Sequence, residues 1–256
     1  MTRSKVYFAS DFHLGIDVKY TSVERERQIV AWLDEIQDEA KDIYLFVDLF
    51  DFWFEYRHAV PRGYVRLLGK MAELSDNGIE LHIFTGNHDM WMFDYLESEI
   101  GAEVHRAPII QEIQGKKFFI GHGDGLGPGD HGYKWIKRVF ASRVCQWLFA
   151  RLHPNFGIAL ANALSGWSRS TTQVENRYFG DDREWLLLYA NQKLEEVDAD
   201  YFVFGHRHLP IDRLLNNGRS RYINLGEWMN FNSYAVFDEA EMKIEFYQNP
   251  EGKIFP

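Results

Sequence analysis

Val6-Tyr7-Phe8-Ala9-Ser10-Asp11-Phe12-His13 passes directly from an apolar run of strand length into a polar cluster. The same transition recurs where Ile43–Val47 meets Asp48-Leu49-Phe50-Asp51, and where Ile79–Thr85 meets Gly86-Asn87-His88-Asp89. Segments of helical period separate these runs. Ser22 to Ala40 carries Val23, Ile29, Val30, Leu33 and Ile36 among charges, and Gly63–Leu74 follows the second cluster. Strands alternating with helices predict an α/β core. In an open α/β sheet the loops at the carboxyl ends of the strands converge on one crevice, where ligands bind.

Two further short strands, around Lys117–Ile120 and Tyr201–Phe204, run into Gly121-His122-Gly123-Asp124 and Gly205-His206-Arg207-His208. From Ile211 to Tyr247, short apolar runs alternate with turn signals such as Asn216-Asn217-Gly218, as in hairpins. Between Asp124 and about Asp198 the strand pattern stops and helices take over. Core strands resume afterwards, so residues 125–198 read as an insertion into a core formed by 1–124 and 199–256. Its charge is unusual: residues 131 to 174 contain six Lys or Arg and no Asp or Glu, although the chain has 38 acids in 256 residues. An acidic protein thus carries one basic, aromatic-rich helical segment.

Hydrophobic residues, at 46%, suffice for a packed core, and the single cysteine, Cys145, excludes an intramolecular disulfide and any cysteine-rich metal site. Its neighbours Trp147 and Leu148 suggest a buried thiol. A net charge of −10 argues against general nucleic-acid binding. Neither a secretory leader nor an apolar run of roughly 20 residues is visible, so the expected location is cytoplasmic.

The clusters share a chemistry. Their side chains are oxygen and nitrogen donors, suited to Mn²⁺, Fe or Zn²⁺ and not to soft metals. Asp-x-His and His-x-His place two side chains on one side of an extended segment. The glycines beside Asn87, His122 and His206 allow close backbone approach. Two divalent ions held by the carboxylates Asp11 and Asp48 leave a net positive cavity. Such a cavity suits a phosphate oxyanion attacked by a metal-activated hydroxide, with the ions roughly 3.5–4 Å apart.

In order and spacing, these five motifs resemble those of the calcineurin-like metallophosphoesterases. The resemblance implies a four-layer α/β sandwich of two mixed β-sheets flanked by helices, with a helical lid insertion. It implies one metal held by Asp11, His13, Asp48 and His208, and a second by Asp48, Asn87, His122 and His206, with Asp48 bridging. Mn²⁺ is the expected cation. His88 would contact the phosphate and aid the leaving group, with Asp89 orienting it.

Asp48 to Tyr56 and His122 to Tyr133 also resemble, more narrowly, the UDP-2,3-diacylglucosamine diphosphatases of lipid A synthesis. This implies cleavage of a nucleotide-linked glycolipid to UMP and 2,3-diacylglucosamine 1-phosphate. It also implies a helical lid over the site, and peripheral attachment to the cytoplasmic face of the inner membrane. The stretch Lys134 to Arg151 fits that role, with Ile136, Phe140, Val144, Trp147 and Leu148 as a stripe among Lys and Arg. Asp51, Asp124, Asp130 and Tyr133 read as supporting or substrate contacts. His58, His82, His105 and His153 read as structural or surface residues, and no role is assigned to Asn224-Leu225-Gly226-Glu227-Trp228.

The chain departs from these patterns at Val47, where the second motif usually begins with Gly, and at His88, where many diacylglucosamine enzymes have Arg. Two other readings therefore stand beside the first: a phosphoesterase for a soluble substrate, and a catalytically impaired scaffold.

Overall fold

The computed structural model describes residues 3–46, 48–128, 131–171, 177–239 and 241–255, with backbone alone for 164–171. β1 (Lys5–Ser10) shows how the layers arise. Its side chains alternate, and both faces are apolar, so both must be covered. Tyr7 and Ala9 face one core, while Val6 and Phe8 face another. β1 pairs in parallel with β2 (Ala40–Phe46), which pairs in parallel with β3 (Glu80–Phe84). The short β4 (Glu103–His105) extends the same direction at the edge. β10 (Ser233–Asp238) and β11 (Glu241–Phe246) complete the other side as an antiparallel pair, giving the order β11-β10-β1-β2-β3-β4.

The second sheet has the order β5-β6-β7-β9-β8, from β5 (Ile109–Ile113), β6 (Lys116–Ile120), β7 (Tyr201–Phe204), β8 (Pro210–Leu214) and β9 (Arg221–Leu225). Both sheets are mixed. β6 and β7 are parallel neighbours, whereas β8 and β9 form the hairpin expected around Asn217-Gly218.

Three apolar layers hold this together. Helices α1 (Ser22–Ile36) and α2 (Val65–Asp76) cover the outer face of the first sheet through Ile29, Trp32, Leu33, Leu67 and Met71. The sheets meet face to face across Phe8, Tyr44, Phe118, Val203 and Phe237. Helix α6 (Trp185–Lys193) covers the second sheet with Leu186, Leu187 and Ala190. The result is the α/β four-layer arrangement. α6 lies inside the range 125–198 expected for the insertion, yet it packs as part of the core's outer layer.

The rest of that range behaves differently. The single helix read over Lys134 to Arg151 is two helices, α3 (His131–Phe140) and α4 (Arg143–Phe149), followed by α5 (Pro154–Thr171). Ser142 causes the break: its backbone is extended and its hydroxyl accepts the Cys145 N–H at 3.2 Å, which caps a new helix. No residue of α3 or α4 is fully buried, and Trp135, Val144, Trp147 and Leu148 are more than half exposed. Cys145 is only partly buried, beside Phe52, Phe54 and Trp91. No described helix is long and apolar enough to cross a membrane.

The face between the sheets should dominate stability. Phe118 is fully buried and its ring lies 4.8 Å from Tyr201, 4.9 Å from Phe237 and 5.9 Å from Phe8. Phe118→Ala is expected to cost about 3–5 kcal/mol, read as a fall in the urea midpoint at constant slope.

Candidate metal centre

The parallel strands β1, β2 and β3 deliver Asp11, Asp48 and Asn87 to one edge of the first sheet, and β6 and β7 deliver His122 and His206 from the second. The two edges are joined directly. The His206 N–H donates to Asp11 Oδ2 at 3.0 Å, while within the first sheet's edge the His13 N–H donates to the Asp48 carbonyl at 2.8 Å. Gly205 makes the close approach possible: a β-carbon there would collide with the Ser10 hydroxyl.

The backbone at these residues is not extended. Asp11 (φ +56°), His13 (φ +45°), His206 (φ +66°) and His208 (φ +54°) all lie in the left-handed region. Paired side chains therefore reach the same point through tight turns, and not through strand alternation. The Arg207 N–H closes a three-residue turn onto the Gly205 carbonyl at 2.8 Å around His206. Such residues cost of order 1–3 kcal/mol each and persist only where surroundings enforce them. Part of that enforcement comes from α1. The buried Arg25 guanidinium donates to the carbonyls of Phe12, His13 and Ile16 at 2.7, 2.6 and 2.7 Å.

The side chains form three overlapping groups, Asp11-His13-His208, Asp11-Asp48-His122 and His13-Asp51-His88. His13 Nε2 lies 3.2 Å from His208 Nε2 and 3.7 Å from Asp11 Oδ1, and His208 Nε2 lies 3.2 Å from Asp11 Oδ1. Asp48 Oδ1 accepts the His88 N–H at 2.9 Å, while Oδ2 faces His13 Nε2 at 3.9 Å and His122 Nε2 at 3.8 Å. One carboxylate oxygen thus stands between imidazoles from different sheets. The His122 and His206 rings are 5.2 Å apart. Asn87 Oδ1 and both ring nitrogens of His122 are buried without a hydrogen-bond partner. Buried polar atoms are rarely left so unless something else binds them. The donors are oxygen and imidazole nitrogen, so the residues fit divalent cations of the Mn²⁺ to Zn²⁺ range.

The charge balance agrees. Burial opposes ionisation of Asp11, but His208 and His13 hold its carboxyl well below the usual range. Burial opposes a charge on His13 too, yet Asp11 and Asp51 raise it to about 10. Burial and the neighbouring His122 bring His206 down to about 4, so it stays neutral and able to coordinate. The carboxylates call for positive charge at their centre.

Residues 4–210 match the family model described as calcineurin-like phosphoesterase. The chain belongs to the calcineurin-like phosphoesterases. The family binds divalent metals, and the groups above are candidate ligands for them. The chain is 42% identical to a protein of Porphyromonas gingivalis named UDP-2,3-diacylglucosamine hydrolase, over 97% of this chain and 100% of that one. It is 26% identical to a protein of the same name from Aeromonas hydrophila, over 93% of this chain and 96% of that one. A solved archaeal phosphodiesterase is similar at 14% identity with a TM-score of 0.48, over 94% of this chain and 99% of that one.

Within this phosphoesterase site Asp89 and Asp51 make different contacts. Asp89 is fully buried and accepts the N–H groups of Leu49 and Gly86, both at 3.0 Å, tying the second motif to the third. Burial and the nearby Asp48 push its carboxyl well above the usual range. The His88 ring meets Asp51: its Nδ1 lies 3.1 Å from the Asp51 carbonyl oxygen and 3.7 Å from the carboxylate Oδ1. The Tyr133 hydroxyl donates to Asp124 Oδ2 at 2.5 Å, and Lys137 Nζ reaches the same oxygen at 2.6 Å, so α3 is clasped to the fourth motif. Val47 and Asp130 lie outside the described residues.

Several supporting residues had no local signature in the sequence. Arg207, between His206 and His208, is buried with Nε 2.9 and 3.0 Å from the two oxygens of Glu184, and its guanidinium stacks 4.3 Å from the Trp185 ring. The Tyr222 hydroxyl also reaches Glu184, at 3.3 Å. Asn224 donates through Nδ2 to the Gly205 carbonyl, and the Trp228 N–H donates to the Asp11 carbonyl at 3.2 Å. The loop without an assigned role therefore buttresses two motifs.

Removing one partner of a buried ion pair strands the other charge. Glu184→Met should cost about 3–5 kcal/mol in urea unfolding. The double variant Glu184→Met/Arg207→Met should be less destabilised than that single one, because no charge is then left unpaired.

Proposed function

We propose that the protein hydrolyses the pyrophosphate bond of UDP-2,3-diacylglucosamine, giving UMP and 2,3-diacylglucosamine 1-phosphate. The observation that carries this reading is the position of the exposed apolar and basic helices beside the cation-binding cluster. Trp91 Nε1 on the third-motif side donates to the Phe140 carbonyl at 2.8 Å, and Phe149 packs 5.8 Å from Phe52 and 4.7 Å from Phe54. A substrate with a diphosphate at one end and acyl chains at the other needs that juxtaposition. The names of both relatives support the same substrate.

In this reading Asp11, His13, Asp48 and His208 hold one ion, and Asp48, Asn87, His122 and His206 the other. Manganese is the proposed native metal. The position of Asp48 Oδ2 between His13 and His122 supports a bridging role. When bound, the two cations polarise the phosphoryl oxygens and lower the pKa of water at the site.

The chain's own residues do the rest. Asp51 fixes the His88 ring, and burial lowers its pKa, so at neutral pH the imidazole is uncharged and able to exchange a proton. Water adds to one phosphorus, the bridging P–O bond breaks, and the departing phosphate keeps the electron pair. Phosphate monoesters have a second pKa of about 6, so this leaving group needs little protonation. The effect of His88 should accordingly stand near the low end of general acid–base catalysis.

The segment around α3, α4 and α5 acts as a lid in this reading, with Tyr133 and Asp130 beside the substrate. Its outward apolar side chains, flanked by the exposed Arg138 and Arg143, favour peripheral attachment to an anionic membrane on the cytoplasmic side.

With Mn²⁺ and detergent-dispersed UDP-2,3-diacylglucosamine, the protein is expected to release UMP, followed by chromatography of the nucleotide. No UMP, alongside turnover of simple soluble phosphodiesters, would reject the substrate and favour the soluble-ester reading. His88→Ala should lower kcat about a hundredfold with metal content unchanged.

A further inference from the structure

A second group of metal-binding side chains lies away from this centre, on β3 and β4. The parallel register of the two strands sets His82 opposite Glu103 and Phe84 opposite His105. Their side chains share the face that turns toward the second sheet, where Phe84 and Tyr44 pack. His82 Nδ1 is 3.3 Å from His105 Nε2 and 3.2 Å from Glu103 Oε2, and His105 Nε2 is 3.8 Å from the same carboxylate oxygen.

These separations carry information. Zinc bonds to imidazole at 2.0–2.1 Å and to carboxylate at 2.0–2.2 Å, so a tetrahedral ion spaces its donors roughly 3.3–3.5 Å apart. The triangle on β3 and β4 is close to that spacing. Its rings are also held in place. His82 stacks on Tyr44 with centroids 4.3 Å apart and planes 9° apart, and His105 stacks on Phe84 at 4.7 Å. The two imidazoles are nearly parallel, 17° apart. Three donors on a rigid sheet with locked rings need little reorganisation to receive an ion.

Electrostatics point the same way. Glu80 approaches the other face of the group, with Oε2 3.9 Å from His82 Nε2, where a carboxylate orients a metal-bound imidazole. Asp42 lies on the neighbouring strand, opposite Glu80, and its Oδ1 is buried without a hydrogen-bond partner. Lys41 Nζ, 3.5 Å from Asp42 Oδ2, is the cation adjoining this acidic patch. Burial lowers the pKa of His105, which keeps its ring neutral and its lone pair available.

We propose that His82 Nδ1, Glu103 Oε2 and His105 Nε2 form a third cation site, selective for borderline divalent ions of the Zn²⁺ class. Two imidazoles and one carboxylate disfavour Ca²⁺ and Mg²⁺, which prefer all-oxygen ligands. The exposed Glu103 side leaves the fourth position to solvent. The site clamps the edge strand β4, and His105 and the Arg106-Ala107-Pro108 segment after it line a cavity together with His122 and Asp124. An ion there would brace a wall of the phosphoesterase site without taking part in its chemistry.

The test counts zinc per chain after equilibrium dialysis and measures binding by calorimetry, on the full-length protein and two variants. Glu103→Gln changes an exposed side chain, and His82→Phe keeps a flat ring on Tyr44. Both variants should hold one zinc fewer per chain than the wild type, or bind that ion at least tenfold more weakly. An unchanged count and affinity in both variants would overturn the site, leaving the triangle as a hydrogen-bonded histidine pair. The difference is independent of the dinuclear centre. If that centre binds nothing, the wild type should still retain its single zinc and the variants should lose it, so the two failures are told apart.

Discussion

Two buried carboxylates, Asp11 and Asp48, at the meeting point of two sheets set the terms for everything around them. Each is almost inaccessible to water, and bringing such groups together costs several kcal/mol per charge unless positive charge answers them. Without cations, His13 answers by taking a proton, which is why Asp11 and Asp51 raise its pKa to about 10. In the proposed arrangement divalent ions would answer better, because they would also engage the Asn87 oxygen and a ring nitrogen of His122, atoms that are buried without a hydrogen-bond partner. Cation binding and the integrity of this junction are therefore linked, and binding free energy is partly folding free energy.

The same constraint explains the strained turns. Four of the proposed ligands adopt left-handed backbone conformations, which no local preference would sustain together. Arg25 from α1, and Asn224 and Trp228 from the loop after β9, bind the carbonyls around those turns, while Asp89 ties the second motif to the third. Glu184 and Arg207 do this for the last motif. Support comes from both sheets and from the outer helices, so the layered fold acts as a vise whose jaws are the strand ends.

Beside this rigid junction, the segment around α3, α4 and α5 has a different character. Among the described residues its helices expose most of their large apolar side chains, and they meet the core at an aromatic cluster around Phe54, Trp91 and Phe149. The segment and the junction are joined where Tyr133 and Lys137 grip Asp124.

Strands β1, β2, β3, β6 and β7 and the α/β class were legible because apolar runs of period two and 3.6 report local burial directly, whereas β4, β5 and the order of strands in each sheet were not. The five polar motifs were legible too, since each sits within a few residues of a strand end. The division of 134–151 into two helices was missed because a single Ser142 cap outweighed a continuous apolar stripe. The left-handed turns, the contact of His88 with Asp51, and the Arg25 and Glu184–Arg207 anchors were not legible. So too was the triangle of His82, Glu103 and His105, whose members look like isolated residues in the chain. The sequence by itself determined which side chains were available and on which strands, through short-range pattern. Only the tertiary structure decided which of them meet, because contacts between residues such as Asp11 and His206 depend on the registers and packing of separate sheets, and no local periodicity encodes that distance.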